Sequence, residues 1–273
     1  QHLLSTSICR SRKPMKRILA LSANPKGTHP LRLDEEIREI DQALRAASLR
    51  DEFELHQRWA LRPKDLQRAL LEVEPTIVHF CGHGEGQAGI TLEDRSGQPQ
   101  FVSTQALARL FDLCAEGIRC VLLNACYAEV QADAIVRSID YVIGMRQAVP
   151  DRVAIAFSTG FYKGLGAGQT IEAAFDSGCE EIRAHSRVSG PDRKAIAVNH
   201  EQQPSKPLAH DQIPVLKKKS DCLNLHNTIR FTQSSLEMIL TGAALRTLSV
   251  KTARKRLRPS AERRVGTVPD SLY

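Results

Sequence analysis

Long hydrophobic runs are missing from this 273-residue sequence. No apolar stretch approaches the ~18 residues that cross a membrane. The basic first 17 residues also lack the continuous apolar segment of a secretory signal. We therefore expect no membrane partner, and we expect residues 1–14 to form an unstructured leader.

Cysteine pairs with the spacing of a disulfide framework or a zinc site are missing as well. The seven cysteines are an odd number, scattered along the chain, and include no Cys-x-x-Cys pair. This usage is typical of reduced thiols and predicts a cytoplasmic protein. Cys81, His83 and Cys126 lack the support of such a pair as zinc ligands, so we expect neither a metal nor another cofactor.

Two glycine-rich stretches lack what a phosphate-binding loop needs. Residues 84–89 match G-x-G-x-x-G, but the chain continues into the strand-like residues 90–92, so no helix N-terminus follows. Residues 164–170 carry Gln169 where a phosphate loop has lysine. Neither stretch predicts a nucleotide cofactor.

The basic charge is confined to the two ends of the chain. The net charge is +7, but residues 1–17 contribute +5 and residues 217–273 contribute +8, which leaves −6 for residues 18–216. A nucleic-acid-binding domain carries its basic residues on the fold itself. We therefore expect a mildly acidic folded part and no nucleic-acid partner.

Strand-like and helix-like segments alternate from residue 17 onward. Short apolar runs predict strands at residues 18–22, 53–59, 76–81, 119–125 and 141–145, with a hairpin over 89–93 and 99–102. Helical spacing predicts six helices. One is capped by Asp34, one begins at Pro63, and the others cover residues 103–114, 128–138, 151–165 and 170–184. This alternation predicts an α/β fold, with a mostly parallel sheet covered by helices on both faces.

The pattern changes after residue 184. Residues 185–212 are polar with little periodicity and predict an irregular loop or insertion, followed by an edge strand at 213–216. Residues 220–273 have no apolar core of their own and predict a weakly ordered basic tail. The alternative is that a helix at 235–248 docks and the run 251–258 binds an acidic partner or nucleic acid. One domain over residues 15–219 is the main expectation.

Reactive side chains follow two of the predicted strands. His83 lies between two glycines after the strand at 76–81, and Cys126 follows the strand at 119–125. Ligands of an open α/β sheet bind beyond the carboxyl ends of its strands, so neighbouring parallel strands would bring these residues together. A thiol, a base and the Gly84 amide are what a cysteine nucleophile needs.

Most cysteines and one further histidine have a simpler interpretation. Cys114, Cys120 and Cys179 fit buried core positions, and His79 lies inside its strand. Cys126 differs because it lies where a strand gives way to a helix, and we expect the helix dipole to lower its pKa.

Together these motifs resemble those of CHAT domains, a caspase-like branch of the clan CD cysteine peptidases. The likeness includes His83-Gly84, residues 124–127 and the helix start at 31–37, and it covers about residues 16–184, with residues 213–216 similar to the closing strand. The resemblance implies a caspase–haemoglobinase-like three-layer sandwich.

The function implied is that of a cysteine endopeptidase with a His83–Cys126 dyad. The backbone amides of Gly84 and Cys126 would form the oxyanion hole, and the substrate would be a protein or peptide. We expect regulation by a partner protein, because CHAT modules commonly lie beside repeat or effector domains. The alternative is a catalytically weak or inactive caspase-like interaction module.

Substrate contacts are expected from three residues. Some clan CD relatives that cleave after basic residues carry an acid two positions before the nucleophile, where this chain has Asn124. A neutral amide gives no reason to expect strong selection for arginine or lysine. Met145 and Arg146, at the end of the next strand, would line the same cleft, although core and surface positions are equally consistent with their sequence.

Overall fold

The structure is a computed structural model, and it describes residues 15–189 and 208–221. The expected leader at 1–14 and the expected tail from residue 222 on, with its helix at 235–248 and basic run at 251–258, lie outside the described residues. So does most of the segment expected to be irregular, because residues 190–207 are not described.

Nine strands form two sheets in the described residues. They are β1 (Lys16–Ser22), β2 (Phe53–Arg58), β3 (Ile77–Cys81), β4 (His83–Gly84), β5 (Ile90–Glu93), β6 (Pro99–Val102), β7 (Cys120–Asn124), β8 (Tyr141–Met145) and β9 (Pro214–Lys218). The larger sheet has the order β2-β1-β3-β7-β8-β9, and only β9 runs antiparallel to its neighbour. The predicted, mostly parallel sheet is confirmed.

Six α-helices lie among the same residues. They are α1 (Leu33–Ala46), α2 (Pro63–Val73), α3 (Thr104–Leu113), α4 (Glu129–Ile135), α5 (Asp151–Gly166) and α6 (Ile171–Ser189). Ser103 caps α3 by accepting a hydrogen bond from the Ala106 amide, as serine does at helix starts. No helix in the described ranges is both long and apolar enough to cross a membrane.

The sheet separates two hydrophobic cores. Leu19, Val121 and Leu123 point to the core shared with α2, α3 and α4, whereas their neighbours Ile18 and Leu122 point to the core shared with α1, α5 and α6. This follows from the alternation of side chains along a strand. Because the central strands are buried on both faces, they read as continuous apolar runs in the sequence. The three-layer α/β sandwich is therefore confirmed.

The smaller sheet is antiparallel and has the order β4-β5-β6. β5 and β6 form the expected hairpin, and His83-Gly84, which no sequence pattern assigns to a strand, pairs with Ile90 and Thr91 as β4. Two residues give no period to detect in a sequence, so this strand depends on its partner. His83 is thereby held on a sheet and not on a free loop.

Three helix boundaries differ from the prediction. Arg32 and not Asp34 occupies the N-cap of α1, and it makes no side-chain cap, so Asp34 lies in the first turn with two further acids. Such acids stabilise a helix start through the dipole without capping it. α4 has only seven residues, and α6 continues to Ser189, so residues 185–189 are helical and not part of a loop.

Candidate active site

The ends of β3 and β7 lie side by side. The two strands are parallel neighbours, and Cys81 pairs with Asn124 in their register. His83 and Cys126 each follow these paired residues by two positions, so both side chains lie at the carboxyl edge of the sheet. This is where an open α/β sheet binds its ligands.

His83 and Cys126 line the same narrow pocket, which has a volume of about 30 Å³. Its other lining residues come from the start of α1, the ends of β3 and β7, and the start of α5: Leu31, Arg32, Leu33, Glu36, Gly82, Asn124, Val149, Asp151, Ala154 and Ile155. The structure therefore brings the two predicted reactive residues to one cavity.

Gly84 packs directly on the backbone of the cysteine. A Cβ atom added to Gly84 would collide with the carbonyl oxygen of Cys126 and would lie 3.2 Å from its amide nitrogen. Only glycine allows such a close approach of two backbones. The small sheet and the turn after β7 thus form one continuous wall of the site.

The turn that carries the thiol contains a left-handed residue. Tyr127 has φ 56°, which is uncommon for a residue other than glycine. Its amide donates to the carbonyl of Gln147 at 3.3 Å. This conformation turns the chain sharply between β7 and α4, and strained backbone of this kind concentrates at functional sites.

Burial keeps the His83 imidazole neutral. Desolvation lowers the pKa of His83 below its ordinary 6.5, while hydrogen bonding with the backbone of His29 acts in the opposite direction. Its Nε2 atom is buried and has no hydrogen-bond partner among the described residues. A neutral imidazole is the form that can accept a proton.

The environment of Cys126 corrects the expectation of a lowered pKa. Burial raises the pKa of the thiol above 9.0, and the negative charges of Glu85 and Asp151 raise it further. The Val149 amide donates to Sγ at 3.4 Å and acts the other way. Because α4 begins at Glu129 and is only seven residues long, its dipole does not dominate at Cys126.

A buried polar cluster lies behind the dyad, centred on Glu36. Its Oε1 atom accepts hydrogen bonds from Asn124 Nδ2 at 2.5 Å, Ser158 Oγ at 2.7 Å and His79 Nε2 at 3.0 Å. The other His79 ring nitrogen lies 3.1 Å from the Tyr162 hydroxyl. His79 is therefore a fully buried core histidine with both nitrogens partnered, as the sequence indicates.

Glu36 is the site residue that the sequence prediction missed. It is only 3% exposed, yet it lines the pocket of the dyad. Its position was the available signal, because it lies three residues after Leu33 and four before Ile40 on the buried stripe of α1. A carboxylate at a core-facing helix position requires partners inside the fold.

The three residues expected to contact substrate have different locations. Asn124 lines the pocket and is 4% exposed. Met145 is fully buried in the core beneath α1, α5 and α6. Arg146 points to Glu129, with 3.7 Å between Nε and the carboxylate, and lines a separate groove next to α6. Met145 and Arg146 are thus corrected to a core and a surface position outside the pocket.

Cys81, His83 and Cys126 were the zinc ligands considered from the sequence. The described residues bring together a different group of ligand-type side chains. Their ligand-type cluster is Glu36, His79 and Cys81, whose donor atoms lie within 4.8 Å of one another. All three are buried, and Cys81 Sγ contacts Ser22 Oγ at 3.2 Å. Each of these groups already has a hydrogen-bond partner in the protein, so the cluster serves as buried structural polarity.

The family model that matches this chain is the CHAT domain, over residues 2–207. The chain therefore belongs to the CHAT domain family, and the resemblance seen in the sequence is confirmed. Its three-layer α/β sandwich is the architecture that this resemblance implies.

Named relatives are distant and much longer. The chain is 24% identical to a Roc-COR-CHAT protease from an unknown prokaryotic organism, over 76% of this chain and 19% of that protein. It is 22% identical to a probable protease of Gillisia limnaea, over 55% of this chain and 27% of that protein. This sequence thus spans about a fifth to a quarter of their length. Among solved structures, caspase-1 from Spodoptera frugiperda aligns at 11% identity with a TM-score of 0.46, covering 75% of this chain and 86% of that one.

Proposed function

We propose that this chain is a cysteine endopeptidase whose catalytic dyad is His83 and Cys126. The observation that carries the proposal is the shared pocket at the carboxyl ends of β3 and β7, lined by an imidazole and a thiol. Membership of the CHAT family and similarity to two proteins named as proteases support peptide-bond hydrolysis as the reaction.

The first half-reaction begins from a neutral thiol and a neutral imidazole. Cys126 Sγ attacks the scissile carbonyl carbon while His83 takes the thiol proton, so the raised pKa of the thiol is overcome only during attack. The amides of Gly84 and Cys126 donate to the oxyanion. His83 then protonates the leaving amine, the C–N bond breaks, and a thioester remains.

Hydrolysis of the thioester restores the site. His83, neutral again, accepts a proton from water as the water oxygen attacks the thioester carbonyl. The C–S bond breaks, the carboxylic acid product leaves, and the sulfur regains a proton from His83. The Val149 amide, which donates to Sγ, stabilises the sulfur while it carries negative charge.

Regulation by a partner belongs to the same proposal. This chain matches only 19% and 27% of the length of the two relatives, which supports a catalytic domain acting beside other domains. The cysteines of the described residues are all free thiols, which supports a reducing, cytoplasmic setting. The substrate is a protein or peptide.

The inactive interaction module is retained as a second candidate because of one observation. Glu85 and Asp151 both raise the pKa of the Cys126 thiol, which leaves it poorly nucleophilic at rest. An acyloxymethyl ketone peptide distinguishes the two candidates. Labelling confined to Cys126 supports an assembled peptidase site, whereas labelling spread over all cysteines, or none, supports the interaction module.

The direct test replaces each member of the dyad in the full chain. We expect Cys126→Ala to abolish peptide cleavage and His83→Ala to reduce it by about 10²–10⁴-fold, the usual contribution of a general acid–base. Cleavage is measured with a fluorogenic peptide library, and folding with circular dichroism.

Two matched variants serve as controls. Cys114→Ala removes a thiol at the end of α3, and His185→Ala removes an exposed imidazole on α6, both away from the pocket. Both should retain wild-type cleavage. Undiminished proteolysis in Cys126→Ala would disprove the proposed nucleophile.

A further inference from the structure

The pocket of the dyad is positioned to receive one particular substrate side chain. When the scissile carbonyl carbon lies against Cys126 Sγ, the preceding Cα atom is only ~1.5 Å from that carbon. The cavity beside the thiol is therefore within reach of the side chain on that Cα. The walls of this cavity determine which residue is accepted on the amino side of the scissile bond, the P1 residue.

Two carboxylates line this cavity. Glu36 lies at its buried end, and Asp151 lies at the start of α5, where its Oδ2 accepts the Arg32 amide at 3.3 Å. The guanidinium of Arg32, which also lines the cavity, forms an ion pair with Glu35. His83 adds no positive charge because burial lowers its pKa. The balance of charge around the cavity is negative.

An unpartnered acceptor in the same wall is an independent observation. Asn124 is 4% exposed, and its Nδ2 donates to Glu36 Oε1, the Ala154 carbonyl and Ser158 Oγ. These acceptors determine the orientation of the amide, since an oxygen in that position would face other oxygens. Asn124 Oδ1 is left buried without a partner among the described residues. The wall therefore lacks a hydrogen-bond donor.

The chemical group that would complement this wall is a positively charged hydrogen-bond donor at the end of an unbranched methylene chain. A buried acceptor without a partner costs free energy, and a positive charge beside the carboxylates of Glu36 and Asp151 is favoured by electrostatic attraction. The cavity is small, about 30 Å³, so a methylene chain requires less widening of it than an aromatic ring does. Lysine meets each requirement with three donors and one charge, and arginine meets the charge requirement with a wider head.

We propose that this cavity, lined by Glu36, Asn124 and Asp151 and called the acidic pocket below, selects a lysine or arginine side chain at P1. The inference rests on the proposed peptidase function. Asn124 alone does not predict this selection, because it is neutral. The charge comes from α1 and α5, which the fold brings to the position that an acid would otherwise occupy two residues before the nucleophile.

The test compares peptides that differ only at P1. Fluorogenic peptides carry lysine, arginine, norleucine, leucine or glutamate, and norleucine reproduces the lysine stem without its charge. For the full-length chain we expect kcat/KM for lysine to exceed that for norleucine by at least about tenfold, since one charge-assisted contact contributes about that much. Equal rates for lysine and norleucine would overturn the inference while leaving the peptidase proposal intact.

Substitutions of the two carboxylates test whether the acidic pocket causes the selection for lysine at P1. Asp151→Asn should reduce the lysine-to-norleucine ratio of kcat/KM about three- to tenfold while norleucine cleavage continues. Glu36→Gln should reduce the same ratio, with folding checked by circular dichroism. The control is Glu39→Gln, one turn along α1 and outside the pocket, which should leave the ratio unchanged. An unchanged ratio in Asp151→Asn would overturn the inference even if Glu36→Gln fails to fold.

Covalent probes separate failure of the inference from failure of the function. Acyloxymethyl ketones with lysine or norleucine at P1 are compared for their rate of labelling of Cys126. Faster labelling by the lysine probe supports the acidic pocket. Labelling by both probes at one rate contradicts the pocket alone, and absence of both labelling and cleavage contradicts the peptidase proposal and the inference together.

Discussion

Cys126 and His83 have the residue types of a thiol protease, but their resting charge state is set by burial. Desolvation moves the two pKa values in opposite directions, down for the imidazole and up for the thiol. Both shifts favour the neutral pair over a thiolate–imidazolium pair. In the proposed mechanism, proton transfer from Sγ to His83 therefore belongs to the attack step. The proposed cationic substrate side chain would offset the negative charge of Glu85 and Asp151 near the thiol.

This charge state predicts the pH dependence of thiol alkylation. The iodoacetamide reaction rate at Cys126 should keep rising through about pH 9, because the pKa of the thiol is raised above 9.0 and only the thiolate reacts. The rate is measured by mass spectrometry of the Cys126 peptide in the full chain, with the Cys126→Ala variant as the blank. A rate that levels off between pH 6 and pH 8 would show an ion pair and contradict the prediction.

At the scale of secondary-structure elements, the candidate site lies at the contact between the two sheets, which is called the joint below. β4 of the small sheet and the turn after β7 touch at Gly84 and Cys126. Gln131 of α4 stabilises the joint through two hydrogen bonds. Its Nε2 donates to the Gly86 carbonyl at 2.7 Å and to Thr104 Oγ1 at 2.6 Å. The position of His83 relative to the thiol therefore depends on packing between elements and not on either element alone.

A methyl group at this joint should disable the site. Gly84→Ala places a Cβ atom against the Cys126 carbonyl, so β4 and the turn must move apart. We expect a loss of stability of about 1–3 kcal/mol, as for other overpacked positions, together with loss of Cys126 labelling by the active-site probe. Stability is measured by urea unfolding and labelling by mass spectrometry.

The matched control is Gly117→Ala. Gly117 has φ 82° and no atom within 4 Å of an added Cβ, so its cost is backbone strain of about 1–2 kcal/mol without a steric clash. This variant should be destabilised but should label normally. Normal labelling in Gly84→Ala would show that the joint does not position the dyad.

At the scale of the whole molecule, the two cores share one sheet. Successive residues of β1, β3 and β7 enter opposite cores, so loss of either core unpairs the same strands. We therefore expect cooperative unfolding, because the sheet cannot keep one face packed once the core on the other face is lost. The dyad lies at the edge of this shared sheet and depends on both cores.

A substitution that destabilises one core should therefore also destabilise the other. Leu107→Ala affects the core under α3, and Phe161→Ala affects the core under α5, where both side chains are 1% exposed or less. We expect losses of about 2–5 kcal/mol for each, as for other large-to-alanine changes in cores. Urea unfolding is followed by circular dichroism, which reports the helices on both faces of the sheet, and by the exposure of the Cys120 thiol, which is buried in the core under α5.

Both probes should report one transition that shifts together in each variant. The exposed Leu113 provides the control, since Leu113→Ala should change stability by less than about 0.5 kcal/mol. If the Cys120 thiol became reactive at a lower urea concentration than the change in circular dichroism, the two cores would unfold independently.

The sequence by itself determined the order of strands and helices, the family and the two strand-end residues. These depend on local patterns: apolar runs at residues 77–81 and 120–124, helical stripes such as that of α2, and reactive side chains placed just after the runs. The common edge of parallel strands then implies that His83 and Cys126 lie near each other. Met145 and Arg146 lie outside the pocket that they were expected to line, because a strand end does not show which side its residues face.

Only the tertiary structure decided the chemistry of the pocket. Glu36 reaches Asn124 across 88 residues of sequence, and the Val149 amide reaches Cys126 across 23. The pairing of β4 and the direction of the thiol pKa shift likewise depend on which atoms surround a group after folding. Burial and electrostatic interaction act through space, so no window of sequence around Cys126 contains the acids that surround it.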